Sequence, residues 1–155
     1  MGAAALTAID SFRFVPAAAI SVEEPARSPQ CAVWFEDRPT GVHVRGAVLE
    51  AQFAVSGGAY VLLATDDCPY EEELHVYLLN PEFVLVEQLH LGYAYTPGIL
   101  RDVRITVGNQ LEFLFIGERR YRLSILDRPT YFWNPAAGVG EVVRCLFKRR
   151  LKLLL

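Results

Sequence analysis

Tyr60-Val61-Leu62-Leu63-Ala64 decides how this chain folds. A half-exposed strand alternates apolar and polar residues because successive side chains point to opposite faces; an unbroken apolar run leaves neither face for water. Ser56-Gly57-Gly58 turns the chain just before it, and the run is short for a buried helix. It predicts a central strand covered on both sides.

Upstream, Val42, Val44 and Gly46 share one parity while Ala47, Leu49, Ala51, Phe53 and Val55 share the other. The inward face changes near Gly46, which predicts a β-bulge there. Downstream, Leu74-His75-Val76-Tyr77-Leu78 alternates, Asn80-Pro81-Glu82 supplies a turn, and Phe83 to Leu91 continues as the next strand. His75 shares a face with Tyr77 and opposes Leu74, Val76 and Leu78, so it is expected to look outward. Val103, Ile105 and Val107 lead into Gly108-Asn109, a hairpin signal, and Leu111, Phe113 and Phe115 lead away from it. Gly117-Glu118-Arg119 then opens onto Tyr121, Leu123 and Ile125. Before the meander, Pro16, Pro25, Pro29 and Pro39 exclude a long helix, while Ser11-Phe12-Arg13-Phe14 and Ala32-Val33-Trp34-Phe35 read as short strands.

Past residue 126 the period changes. Asn134-Pro135 fits an N-cap followed by proline at the first helical position, and Val139, Val142, Val143, Leu146, Phe147, Leu151 and Leu154 recur at helical spacing. The expected fold is mainly β: an antiparallel meander of about seven to ten strands, forming a sandwich or partly open barrel, with one C-terminal amphipathic α-helix. We expect one domain over 1–155, with an irregular segment at 1–40, the meander at 42–126 and the helix at 135–155.

A chain of 155 residues, 52% apolar and 21% charged, has enough apolar surface for a packed core. Cys31, Cys68 and Cys145 are odd in number and lack C-x-x-C spacing, which signals neither a disulfide framework nor a zinc site and suits a cytoplasmic setting. No basic segment opens the alanine-rich start, so export is not expected, and charge interrupts every apolar run before it reaches transmembrane length. Thirteen arginines against two lysines hint at a G+C-rich, bacterial source.

The net charge of −3 hides an asymmetry: all eighteen acids precede Arg144, and Arg144, Lys148, Arg149, Arg150 and Lys152 make the tail +5 against a body of −8. An acidic protein partner or a second copy of the chain suits such a basic helix, and an acidic body disfavours nucleic acid.

The densest polar stretch is Asp66-Asp67-Cys68-Pro69-Tyr70-Glu71-Glu72-Glu73. Asp66, Asp67 and Glu71 are candidate ligands for a hard cation such as calcium or magnesium, although the loop lacks EF-hand spacing. Cys68 with His43, His75 or His90 would make a nucleophile and base, but spacing names no orienting third residue. Tyr93, Tyr95 and Trp133 fall in loop-like segments and, with Arg144, Lys148 and Arg149 of the helix, are the candidate partner or ligand contacts. No phosphate loop, nucleophile elbow or dinucleotide fingerprint is present, and no cofactor is called for. The expected function is a non-enzymatic binding or protein-interaction module. A carrier for a small apolar ligand is the alternative, and a hydrolase or metal-dependent enzyme using loop 66–73 comes third.

Overall fold

A computed structural model describes residues 4–17, 29–93, 95–130 and 149–155. They form twelve strands: β1 (Leu6–Ala8), β2 (Phe12–Pro16), β3 (Gln30–Phe35), β4 (Arg38–Arg45), β5 (Val48–Val55), β6 (Tyr60–Thr65), β7 (Leu74–Leu79), β8 (Leu85–Leu91), β9 (Arg101–Ile105), β10 (Gln110–Leu114), β11 (Arg120–Thr130) and β12 (Arg149–Leu154). This exceeds the expected strand number, chiefly because residues 4–45 contribute four strands, of which β2 and β3 fall on the short strands read at Ser11–Phe14 and Ala32–Phe35.

Every pairing is antiparallel, in three open sheets ordered β1-β5-β6-β7-β8, β12-β11-β10-β9 and β2-β3-β4. None closes into a barrel. The five-stranded sheet lies between the other two, and β6 is its middle strand, as its two-sided hydrophobicity requires. Val61 and Leu63 enter one core with Phe113, Leu123 and Leu151 of the four-stranded sheet; Leu62 and Ala64 enter a second core with Phe12, Val33 and Val44 of the three-stranded sheet. Leu62 and Leu63 are wholly buried, and each such leucine contributes about 2 kcal/mol relative to an exposed one.

Gly46 is not a bulge but the corner between two sheets: β4 ends at Arg45 in the three-stranded sheet, and β5 begins at Val48 in the five-stranded one. Gly46 has φ +127, and a Cβ there would lie 3.0 Å from the Ala64 Cβ. The corner keeps Val44 and Leu49 on the same core, and the inward run crosses to the other core at a bulge-like register shift further on, between Leu49 and Ala51.

The expected C-terminal helix is overturned where it can be seen. Among the described residues there is no α-helix, and Arg149–Leu154 is β12, paired with β11 through Leu123↔Leu153 and Ile125↔Leu151. Leu151 and Leu153, two apart, face the core, while the Leu151 and Leu154 spacing that resembled a helical repeat places Leu154 only partly buried. The edge of β11 offered ladder hydrogen bonds that one turn of helix lacks a partner to match. Residues 135–148 of the expected helix, including Arg144 and Lys148, lie outside the described residues. No helix among the described residues is long and apolar enough to cross a membrane.

A carboxylate anchors β12. Glu87 on β8 accepts from Arg149 Nε at 2.9 Å and from the backbone N–H groups of Arg150 at 2.8 Å and Leu151 at 3.1 Å. Arg149 is thus a buried partner of Glu87 rather than a solvent-facing cation for a docking protein.

Candidate metal centre

The hairpin of β7 and β8 places His75 directly opposite His90. Opposed residues share a face, here the one carrying Tyr77 toward the three-stranded sheet. His75 is not turned to water, as alternation alone implied, but fully buried, because the face opposite Leu74 and Val76 has a layer of its own.

The acidic loop folds back onto that face. Glu72, itself buried, accepts the backbone N–H of Asp66 at 2.6 Å and of Cys68 at 3.1 Å, so one carboxylate closes the turn. The closed turn sets Asp66 Oδ1 2.7 Å from His75 Nε2. Gly92, just past β8, passes so close that a Cβ would lie 3.1 Å from Glu73 Cγ and 3.3 Å from the Glu72 carbonyl oxygen.

The other nitrogen of His75, Nδ1, stands 2.6 Å from His90 Nδ1. One of the pair must donate. His75 Nε2 donates to the Asp66 carboxylate, which leaves its Nδ1 to accept, and His90 Nδ1–H donates to it. Burial pushes the His90 imidazolium down to about 4; His75 and the charges of Arg45 and Arg149 press the same way, and Asp66 opposes them. His90 is thereby held neutral, and its Nδ1 becomes free to ligate once the proton it shares with His75 moves to Nε2.

Glu73 Oε1 is 4.0 Å from His75 Nδ1 and 3.9 Å from His90 Nδ1, too far for hydrogen bonds. The three ligand atoms lie within 4.8 Å of one another. Two nitrogens on a tetrahedral zinc ion stand about 3.3 Å apart at the usual bond length, so the rings at 2.6 Å and Glu73 at 3.9–4.0 Å would each need to shift by less than about 1 Å to hold one. The Glu73 side chain is 33% exposed and that of His90 13%, which leaves an approach for an ion from the Glu73 side. Tyr77 walls the opposite side, its ring stacked on His75 at 6.1 Å and its hydroxyl donating to the Arg45 carbonyl at 2.7 Å; burial holds its phenol above the ordinary range.

Of the three metal ligands named from the sequence, only Asp66 reaches this cluster, as the outer partner of His75; His75 and His90, named there as possible bases for Cys68, form it. Asp67 is exposed with φ 59, and Glu71 Oε1 accepts the backbone N–H of Tyr95 at 3.1 Å, so the three carboxylates do not converge. Cys68 is exposed on the loop and Cys31 is buried in β3, where burial raises its thiol. His43 lies exposed on β4. Tyr93 packs against the larger core, Tyr95 is exposed, and Trp133 lies outside the described residues. Glu73 and the pairing of His75 with His90 were missed. Counting outward from the Asn80-Pro81-Glu82 turn places them opposite each other only when the irregularity between Leu78 and Leu79 is allowed for.

Two open clefts lie elsewhere, about 440 Å³ beside β1 and β5 and about 510 Å³ between Phe35 and Phe83, and neither is lined by a histidine. No protein family matches this chain, and neither a curated protein nor a solved structure matches it.

Proposed function

We propose that this chain is a non-enzymatic binding module whose ligand is a transition-metal ion, with zinc favoured by the donor set, held by Glu73, His75 and His90. The observation that carries the reading is the meeting of two imidazole nitrogens and a carboxylate oxygen within 4.8 Å, with the far nitrogen of His75 on the Asp66 carboxylate. A carboxylate behind a ligating histidine fixes its tautomer and raises its basicity. Two nitrogens and one oxygen suit zinc with a position left open, whereas calcium takes six to eight oxygens. Binding would replace the Nδ1 to Nδ1 hydrogen bond, the proton of His90 moving from Nδ1 to Nε2 so that both Nδ1 lone pairs face the ion.

The apolar-carrier alternative finds less support, since side chains from facing sheets fill both cores. A protein-interaction role is the second reading, favoured by Tyr70 and Tyr95, 86% and 91% exposed on loops joined through Glu71. Sedimentation of the wild type against a Tyr70→Ser, Tyr95→Ser double variant tests it for self-association: a dimer lost in the variant supports it. A cytoplasmic, reducing setting suits the free thiols of Cys31 and Cys68.

The test is thermal denaturation of the chelator-stripped full chain. Zinc at a hundredfold excess over Kd adds about 3 kcal/mol, a rise in Tm of roughly 8 °C, and millimolar calcium adds nothing. His90→Asn removes the zinc effect. An unmoved wild-type Tm in zinc, or the same rise in His90→Asn, overturns the reading.

A further inference from the structure

The four-stranded sheet has a basic outer face, on the far side of the molecule's middle layer from the three-stranded sheet. Residues 101–130 and 149–155, which form this sheet and its turns, carry nine arginines and lysines against four acids; the rest of the chain carries six against fourteen. Along β10 to β12, Leu111, Phe113, Leu123 and Leu151 fill the larger core, so their immediate neighbours point away from it. On that outer face the register sets Arg104 and Arg122 on either side of Glu112, with Arg120 two residues before Arg122 on the same strand. Lys152 lies in the next row, opposite Ser124. Glu112, 8% exposed, is the floor of the cluster. Its Oε2 accepts from Arg104 Nη2 at 3.0 Å and its Oε1 from Arg122 Nη2 at 3.2 Å, while Arg120 Nη1 stands 3.5 Å from Oε2.

One carboxylate thus holds three guanidiniums in place and cancels only one of their charges. Of the sheet's other acids, Glu118 is taken by Arg101 at 3.2 Å, and Asp102 and Asp127 are exposed without an ion pair among the described residues. The three arginine side chains are 49–59% exposed, and among the described residues each is engaged through a single nitrogen, which leaves its other N–H donors for a ligand. From this placement we infer that the outer face of the four-stranded sheet docks an acidic segment of a partner protein, its carboxylates landing on Arg104, Arg120 and Arg122. Arginine's planar fork matches a carboxylate through two parallel hydrogen bonds, and side chains already pinned by Glu112 lose less freedom on binding than loose ones. Nucleic acid fits less well. The rows that carry these arginines hold no aromatic side chain on which a base could stack, and fourteen acids elsewhere on the chain repel a long polyanion more than a short acidic segment. The acidic partner expected of a basic terminal helix is therefore assigned to a sheet face instead.

A fluorescein-labelled decaglutamate peptide titrated with the full chain tests this by anisotropy, in chelator so that the metal centre plays no part. Saturable binding is expected at low salt, weakening steeply as salt rises, and a decaglutamine peptide should not bind. Arg104→Gln combined with Arg122→Gln is expected to weaken binding about tenfold. Arg13→Gln combined with Arg38→Gln removes the same charge from the three-stranded sheet and should leave binding within about twofold. Arg120→Gln alone, which breaks the longest of the three contacts and disturbs the fold least, should weaken it about threefold. Absence of saturable binding to the wild type overturns the inference. Equal losses in the two double variants also overturn it, because the attraction would then be to net charge and not to this face. A decathymidylate bound more tightly than the peptide overturns it in favour of nucleic acid.

Discussion

Acidifying the metal-free protein should destabilise it through His90, over a pH window that separates this histidine from the carboxylates. The imidazolium of His90 is pushed down to about 4 in the folded protein from an ordinary 6.5. Between those values the unfolded chain carries a proton on His90 that the folded chain does not, so stability rises with pH. The contribution is fully present above pH 6.5 and is lost as pH falls toward 4. The slope near pH 5.5 is roughly 1 kcal/mol per pH unit and the full span about 3 kcal/mol. The side chain is only 13% exposed, so solvent screening takes little from this figure. Urea denaturation followed by tryptophan fluorescence, at half-unit steps from pH 7.5 to 5 in chelator, measures it. His90→Asn run in parallel subtracts every other titration, and its slope should be shallower by roughly 1 kcal/mol per pH unit. Equal slopes in the two proteins would refute the arrangement in which a neutral His90 donates to His75.

Glu87→Ala should cost about 3–5 kcal/mol in chemical denaturation, because it strands the buried Arg149 charge and frees the start of β12; a loss below 1 kcal/mol would mean the pair is not buried in solution. Glu112, whose carboxyl is held below its usual range by hydrogen bonds from Arg104 and Arg122, contributes stability present above the unfolded value and lost as pH falls through the folded one. Glu112→Gln should therefore flatten the acid limb of the stability profile below about pH 4.5. Gly46→Ala should destabilise by about 1–3 kcal/mol, since it imposes φ +127 on an alanine and brings Cβ to 3.0 Å from Ala64; an unchanged melting temperature would mean that the corner is not held as described. Leu63→Ala, at a position with no exposed surface, should cost about 2–5 kcal/mol by denaturant titration, and less than 1 would place β6 away from the centre.

The strands of the meander and the central place of β6 were legible because they follow from side-chain period alone. Five apolar residues from Tyr60 to Ala64 require cover on two faces whatever provides it, and Gly57-Gly58 and Gly108-Asn109 turn the chain by local backbone freedom. Long-range placement was not legible. The change of parity at Gly46 is compatible with either a bulge or a corner, and only a second sheet packed against Ala64 decides for the corner. Leu151, Leu153 and Leu154 fit a strand or a helix until the free edge of β11 selects the strand. The site follows the same rule. The sequence displays its acidic loop openly, but His75 and His90 meet only through the register of β7 and β8, which a slip of one residue would undo by sending one ring to the opposite face. Local sequence determined which segments are extended and which residues avoid water, because those properties depend on a residue and its near neighbours. Which face is buried, which edge is paired and which polar groups converge depended on layers assembled from distant parts of the chain, and those the tertiary structure alone decided.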